Sequence, residues 1–152
     1  MAIISTILFL ALPIGTCGLA IIRGGFAERV VASIVALSVP VGFAVMQLPA
    51  DAQPVTELVA DGVIAFAVLA LAVFLATPWL GAVLLLYAGQ FALHAFYFVS
   101  SRPVDKPYAL LNNAIFLAVT ISLLVGTVGT LRKRASCRRP AIRPPAAAAD
   151  PA

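Results

Sequence analysis

The sequence predicts an all-α integral membrane protein, and three observations carry that reading. Hydrophobic residues make up 62% of the chain, charged residues only 11%, and mean hydropathy is +1.08, a balance no ordinary soluble domain has. The apolar residues fall in blocks of about 20, the length that crosses hydrocarbon at ~1.5 Å rise per residue. Short polar or turn-rich connectors separate five such blocks. Hydrocarbon offers the backbone no hydrogen-bond partners, so each block must satisfy itself as a helix.

The first block covers residues 2–22 and stops at Arg23. It has no positive n-region, and Thr16-Cys17 fits neither a signal-peptide cleavage site nor a lipobox, so it reads as a retained span. Its removal gives the alternative of four helices. Pro13 lies near its middle, where neighbouring helices can re-satisfy a freed carbonyl. Arg23-Gly-Gly-Phe-Ala-Glu-Arg29 is a short turn-rich connector. The second block, residues 30–48, has Pro40 at its centre. Leu10-Ala-Leu-Pro13-Ile-Gly15 and Leu37-Ser-Val-Pro40-Val-Gly42 are alike, which fits either an old duplication or chance in a low-complexity apolar sequence.

A polar stretch with Asp51 and Pro54 leads to the third block, residues 57–76. Glu57 and Asp61 stand one turn apart on one face of it. Thr77-Pro78-Trp79 must divide the third block from the fourth, residues 80–99, because one helix over 56–99 would be about 66 Å long. A tight hairpin with Trp79 at a membrane interface is the simplest geometry. The fifth block is residues 108–131. Gly126 and Gly129 near its end allow close helix approach but do not form the G-x-x-x-G dimer motif. The bundle therefore occupies residues 1–131, and residues 132–152 are expected to form a basic, then Pro/Ala-rich, disordered tail.

Charge sets the orientation. If five helices span, Arg23, Arg29, Arg132, Lys133, Arg134, Arg138, Arg139 and Arg143 share one side, against Arg102 and Lys106 on the other. The basic side belongs in the cytoplasm, so the N-terminus is expected outside and the C-terminus inside. The four-helix alternative keeps the same C-terminal orientation.

This topology places several polar residues in one layer beneath the outer surface. Asp61, expected to be interfacial, His94, Asn112 and Asn113 each lie roughly 6 to 8 Å in from a helix end at helical rise. On the fourth helix Tyr87, Gln90, His94 and Tyr97 recur at i, i+3, i+7 and i+10, one face of a helix. Asn113, Thr120 and Thr127 form a seven-residue stripe on the fifth. Opposed stripes bring His94 towards the asparagines and the carboxylates of the third helix. Two readings follow. The cluster is a pocket for an amphipathic ligand such as a quinone headgroup, or a short proton path through Asp61 and His94, since imidazole changes charge near neutral pH. Alternatively its members are interhelical hydrogen-bond partners, worth about 0.6 kcal/mol each.

Other chemistry is thinly represented. One histidine cannot ligate haem twice within a monomer, and no Cys/His grouping has metal spacing, so neither metal nor cofactor is expected. No phosphate-binding glycine loop or nucleophile elbow occurs, and no catalytic set is expected. Cys17 in a span and Cys137 in the tail read as free thiols. The run Arg132, Lys133, Arg134, Arg138 and Arg139 lacks interleaved aromatics and directly follows a span, so anionic lipid headgroups suit it better than nucleic acid.

Arg23-Gly-Gly-Phe-Ala-Glu-Arg29, Ala60-Asp61, Pro78-Trp79, Gln90, His94 and Val125-Gly126-Thr127, spread over residues 14–131, together resemble small polytopic inner-membrane proteins of alphaproteobacteria, of the kind seen in sphingomonads. The resemblance implies a bacterial inner membrane and carries no activity, ligand or catalytic residue with it. Three functions remain as expectations: a non-enzymatic accessory or scaffold in a membrane complex, a binder of quinone or another lipid-like molecule, and a small proton-coupled transporter or membrane-embedded enzyme.

Overall fold

The computed structural model describes residues 2–137, with side chains described from residue 11 onward. Among the described residues there are five helices and no strand: α1 (Ala2–Arg23), α2 (Phe26–Val45), α3 (Gln53–Leu75), α4 (Pro78–Val99) and α5 (Lys106–Cys137). The last four are long and apolar enough to cross a membrane, as is expected of backbone that must bond to itself.

Local chemistry sets the helix ends. Gly24 and Gly25 alone separate α1 from α2, and a Cβ on Gly24 would overlap the Ala20 carbonyl and the Glu28 Cβ. α2 closes at residues 46–52, where Gln53 Nε2 donates to the Leu48 carbonyl at 2.9 Å, and Pro54 occupies the first turn of α3, where its missing N–H costs nothing. α3 ends on Ala76 in the left-handed region (φ 46°), its N–H bonded to the Ala72 carbonyl, and Pro78 opens α4 at once. The expected tight hairpin is thus only Ala76 and Thr77 long.

The helices form a ring in which each packs on its sequence neighbours and α5 closes onto α1, with α2 and α5 also touching across it. The backbones of α3 and α5 stand apart, bridged by side chains such as Tyr108 and Glu57. Cys17, Ala20, Val31, Val35, Val68, Leu80, Val83 and Leu123 make the apolar core. The outside is equally apolar: Phe66 is 72% exposed, Phe74 84% and Val99 80%. Meanwhile Glu28, Asp61, His94, Thr120 and Thr127 are buried. Ionisable groups inside and phenylalanines outside suit a surface solvated by lipid rather than water.

Three boundaries differ from the sequence reading. The connector at Arg23–Arg29 is mostly the first turn of α2, because Phe26 to Arg29 can all be helical once two glycines have turned the chain, and Glu28 complements the helix N-terminus. α3 begins at Gln53 rather than residue 57. α5 continues through Arg132, Lys133 and Arg134 to Cys137, so the disordered tail expected from residue 132 does not start there. Arginine and lysine are good helix formers, they complement a helix C-terminus, and Arg134 Nη1 donates to the Arg23 carbonyl at 3.0 Å. The remainder of the expected tail, residues 138–152 with Arg138 and Arg139, lies outside the described residues.

Candidate functional site

Where α3 and α5 stand apart, α2 and α4 bound a cavity of about 580 Å³. Its wall is mostly apolar and includes Ile34, Leu37 and Val41 of α2 and Phe116 of α5. Most of its polar groups converge from three helices: Glu57 and Asp61 from α3, Gln90 and His94 from α4, Tyr108, Asn112 and Asn113 from α5, with Ser38 added from α2. A concave apolar site with a few placed polar groups is the usual form of a small-molecule pocket.

The Asp61–His94 pair is its centre. His94 Nδ1 is paired with Asp61 Oδ2 in close contact, and both side chains are more than nine-tenths buried. Gln90 Nε2 approaches the other carboxylate oxygen at 3.4 Å, so both oxygens of Asp61 face donors from α4. Residues Gln90 and His94 are one turn apart on α4, which lets a single face of that helix hold one carboxylate. That contact calls for a proton on Nδ1, because two bare acceptors would repel each other there, and it leaves Nε2 as the nitrogen available to a ligand. Nδ1, Nε2, Asp61 Oδ2 and Asn112 Oδ1 are all buried without a well-directed hydrogen bond among the described residues, but Nδ1 and Oδ2 have each other in close contact, whereas Nε2 and Asn112 Oδ1 have no such ion-pair contact.

Aromatic rings finish the wall. The Tyr108 ring stacks on the imidazole at 5.4 Å between centroids and 27° between planes, and its hydroxyl donates to Glu57 Oε2 at 3.3 Å. Tyr97 meets Tyr108 edge on at 4.9 Å and donates to Asp105 Oδ1 at 2.6 Å. Asp105 also caps α5, accepting the Tyr108 N–H at 2.9 Å. These two bonds, the phenol first, hold the exposed Asp105 carboxyl below its ordinary range.

The sequence candidates therefore separate. Asp61, Gln90, His94, Asn112 and Asn113 meet at the cavity. Tyr87 is buried in the apolar core, and Tyr97 lies towards the rim, bonded to the loop before α5. Asp61, expected to be interfacial rather than buried, is buried in the protein: α3 starts earlier, which sets Asp61 eight residues inside it, about 12 Å at helical rise, and His94 gives it a buried partner. Thr120 and Thr127 are buried, but their hydroxyls donate to carbonyls of their own helix, at Phe116 (3.0 Å) and Leu123 (2.8 Å). Among the described residues, no group of three or more His, Cys, Asp or Glu is placed to hold a metal ion. Cys17 is buried, Cys137 is exposed, and both are free thiols.

Sequence reasoning missed two features. Tyr108 sat at the edge of a span, where tyrosine is ordinary, and nothing in its spacing tied it to His94. At the opposite end of the bundle Glu28 is 5% exposed and accepts the Thr130 hydroxyl at 2.6 Å. Between two arginines it had the appearance of a solvated turn residue; the available signal was that Thr130 follows Thr127 by one turn of α5.

No protein family, no curated protein and no solved structure matches the chain. What its fold and site define is a class: a small helical bundle with helices able to cross a membrane, enclosing an amphipathic cavity around one buried carboxylate–imidazole pair.

Proposed function

We propose that this chain is a non-enzymatic protein of the bacterial inner membrane that binds a small, lipid-like molecule in the cavity between α2, α3, α4 and α5. The observation that carries the reading is the buried Asp61–His94 pair opening onto apolar space of about 580 Å³. Hydrogen-bond glue alone needs no adjoining space. All five helices span in this account, with the N-terminus outside and the end of α5 in the cytoplasm, where Arg132, Lys133 and Arg134 meet anionic headgroups at about 1 kcal/mol each. The cavity mouth then faces the outer leaflet, and the protein serves as an accessory binding component of a larger membrane assembly.

Native mass spectrometry from lipid nanodiscs tests the binding. Wild type should carry a lipid-like adduct that His94→Ala loses while remaining folded. Equal occupancy in both removes His94 from the site. Partners should co-purify after mild detergent extraction, and a solitary monomer in a crosslinking screen counts against the accessory role.

A further inference from the structure

Resting on the reading of the cavity as an amphiphile site, the polar atoms around His94 indicate which chemistry belongs there. Carboxylate and carbonyl acceptors surround the imidazole, beside the side-chain amides of Gln90, Asn112 and Asn113. α3 presents the carboxylates of Asp61 and Glu57. α5 presents Asn112 Oδ1 and Tyr108, whose hydroxyl hydrogen is directed to Glu57. α2 contributes no titratable side chain to the lining, and its Ser38 hydroxyl donates to its own helix at Val35, 2.8 Å away. On α4 itself Gln90 gives its N–H to Asp61, and Tyr97 gives its hydroxyl to Asp105. No lysine or arginine lines the cavity among the described residues.

Nδ1 is taken up by its contact with Asp61, and Nε2 and Asn112 Oδ1 are buried atoms that a hydrogen donor placed between them satisfies together. Two donors are chemically suitable. A second proton on the ring makes Nε2 a donor to Asn112. Alternatively, a bound molecule brings an N–H of its own, and neutral Nε2 accepts it. Both arrangements put a single positive charge beside the Asp61 and Glu57 side chains, so exchanging one for the other leaves the net charge of the site the same.

We propose that the cavity binds a protonated lipophilic amine in exchange for the proton on His94 Nε2. The exchange forms no covalent bond: an alkylammonium ion enters, the imidazolium becomes neutral imidazole, one proton leaves to water, and the charge of the site is unchanged. The ammonium sits among Nε2, Asn112 Oδ1 and the Glu57 carboxylate, with Tyr108 and Phe116 beside it for a cation–π contribution. Its alkyl body lies along Ile34, Leu37 and Val41 of α2.

The chain contains one histidine, so nitrogen NMR of ¹⁵N-histidine-labelled protein in nanodiscs reads this imidazole alone. At the pH where the free protein is half protonated, dodecylamine should move Nε2 to the unprotonated signal. Its Kd should rise up to tenfold per pH unit below that midpoint, the linkage of one proton. Dodecyltrimethylammonium carries the same charge and tail without an N–H and should leave the imidazole half protonated. The proposal falls if that compound acts equally, or if Asn112 turns its amide to Nε2 and the ring stays neutral throughout. If decylubiquinone perturbs the cavity resonances and dodecylamine does not, the amphiphile site stands and the amine is wrong. If neither perturbs them, both readings fall.

Discussion

Asp61 Oδ2 pairs with His94 Nδ1 across the α3–α4 interface, joining two helices that a two-residue hairpin already holds at their other ends. One carboxylate and one imidazole thereby lock the far end of that hairpin beside the cavity. A double-mutant cycle of Asp61→Asn and His94→Ala should give a coupling energy of about 1 to 2 kcal/mol, the upper part of the range for hydrogen bonds in membrane bundles. Unfolding in mixed micelles reads it, and additivity within about 0.3 kcal/mol would show that the pair is not coupled.

Trp79 is expected to tolerate no side chain at Gly126. A Cβ there would stand 2.6 Å from the indole Cδ2, whereas one on Gly129 meets nothing within 4 Å. Gly126→Ala should cost about 1 to 3 kcal/mol by overpacking, with partial rescue by Trp79→Leu. Gly129→Ala should be neutral or gain up to about 1 kcal/mol. Thermal unfolding of wild type, Gly126→Ala, Gly126→Ala with Trp79→Leu, and Gly129→Ala decides; equal effects at the two glycines would remove the packing argument.

Glu28 depends on Thr130. With the carboxylate 5% exposed and the hydroxyl at 2.6 Å, Thr130→Val should destabilise the protein by about 1 to 3 kcal/mol by leaving a buried acceptor unmatched. Thr130→Ser keeps the donor and should recover most of that loss. A valine variant as stable as wild type would mean that Glu28 does not depend on the Thr130 hydroxyl.

Asp105 ties the α4–α5 loop to pH. Its folded carboxyl titrates below the ordinary value of 3.8 because Tyr97 and the Tyr108 N–H bond to the charged form. The sign follows: its contribution is complete above that ordinary value and is lost as pH falls through the lower, folded one. Carboxyl NMR should give a midpoint below 3.8 for Asp105. Asp105→Asn should keep the cap and abolish the transition, while Asp105→Ala should fray the first turn of α5; a midpoint at or above the ordinary value would contradict the bonding.

These expectations show where sequence is informative. The α4 face was legible because Gln90 and His94 recur at helical spacing against a uniformly apolar background, which makes each polar residue conspicuous. The burial of Asp61 was not, since it depends on where α3 starts, and Pro54 marks that start more faintly than the carboxylates do. Tyr108 could not be placed, because its ring reaches His94 through the angle of α5 across α4, a tertiary quantity. Glu28 was hidden by the arginines beside it, although two glycines were already enough to turn the chain. Arg132 to Arg134 looked like the start of a tail because charge ends a membrane span, but it does not end a helix.

Photolabelling tests the central claim most directly. An alkylamine bearing a diazirine at mid-chain, activated with the protein in lipid nanodiscs and mapped by mass spectrometry, should mark Ile34, Leu37, Val41 and Phe116, the apolar wall of the cavity. Excess unlabelled dodecylamine should protect those positions. Labelling confined to lipid-facing residues such as Phe66, Phe74 and Val99, and unaffected by competitor, would mean that the Asp61–His94 pair only holds helices together.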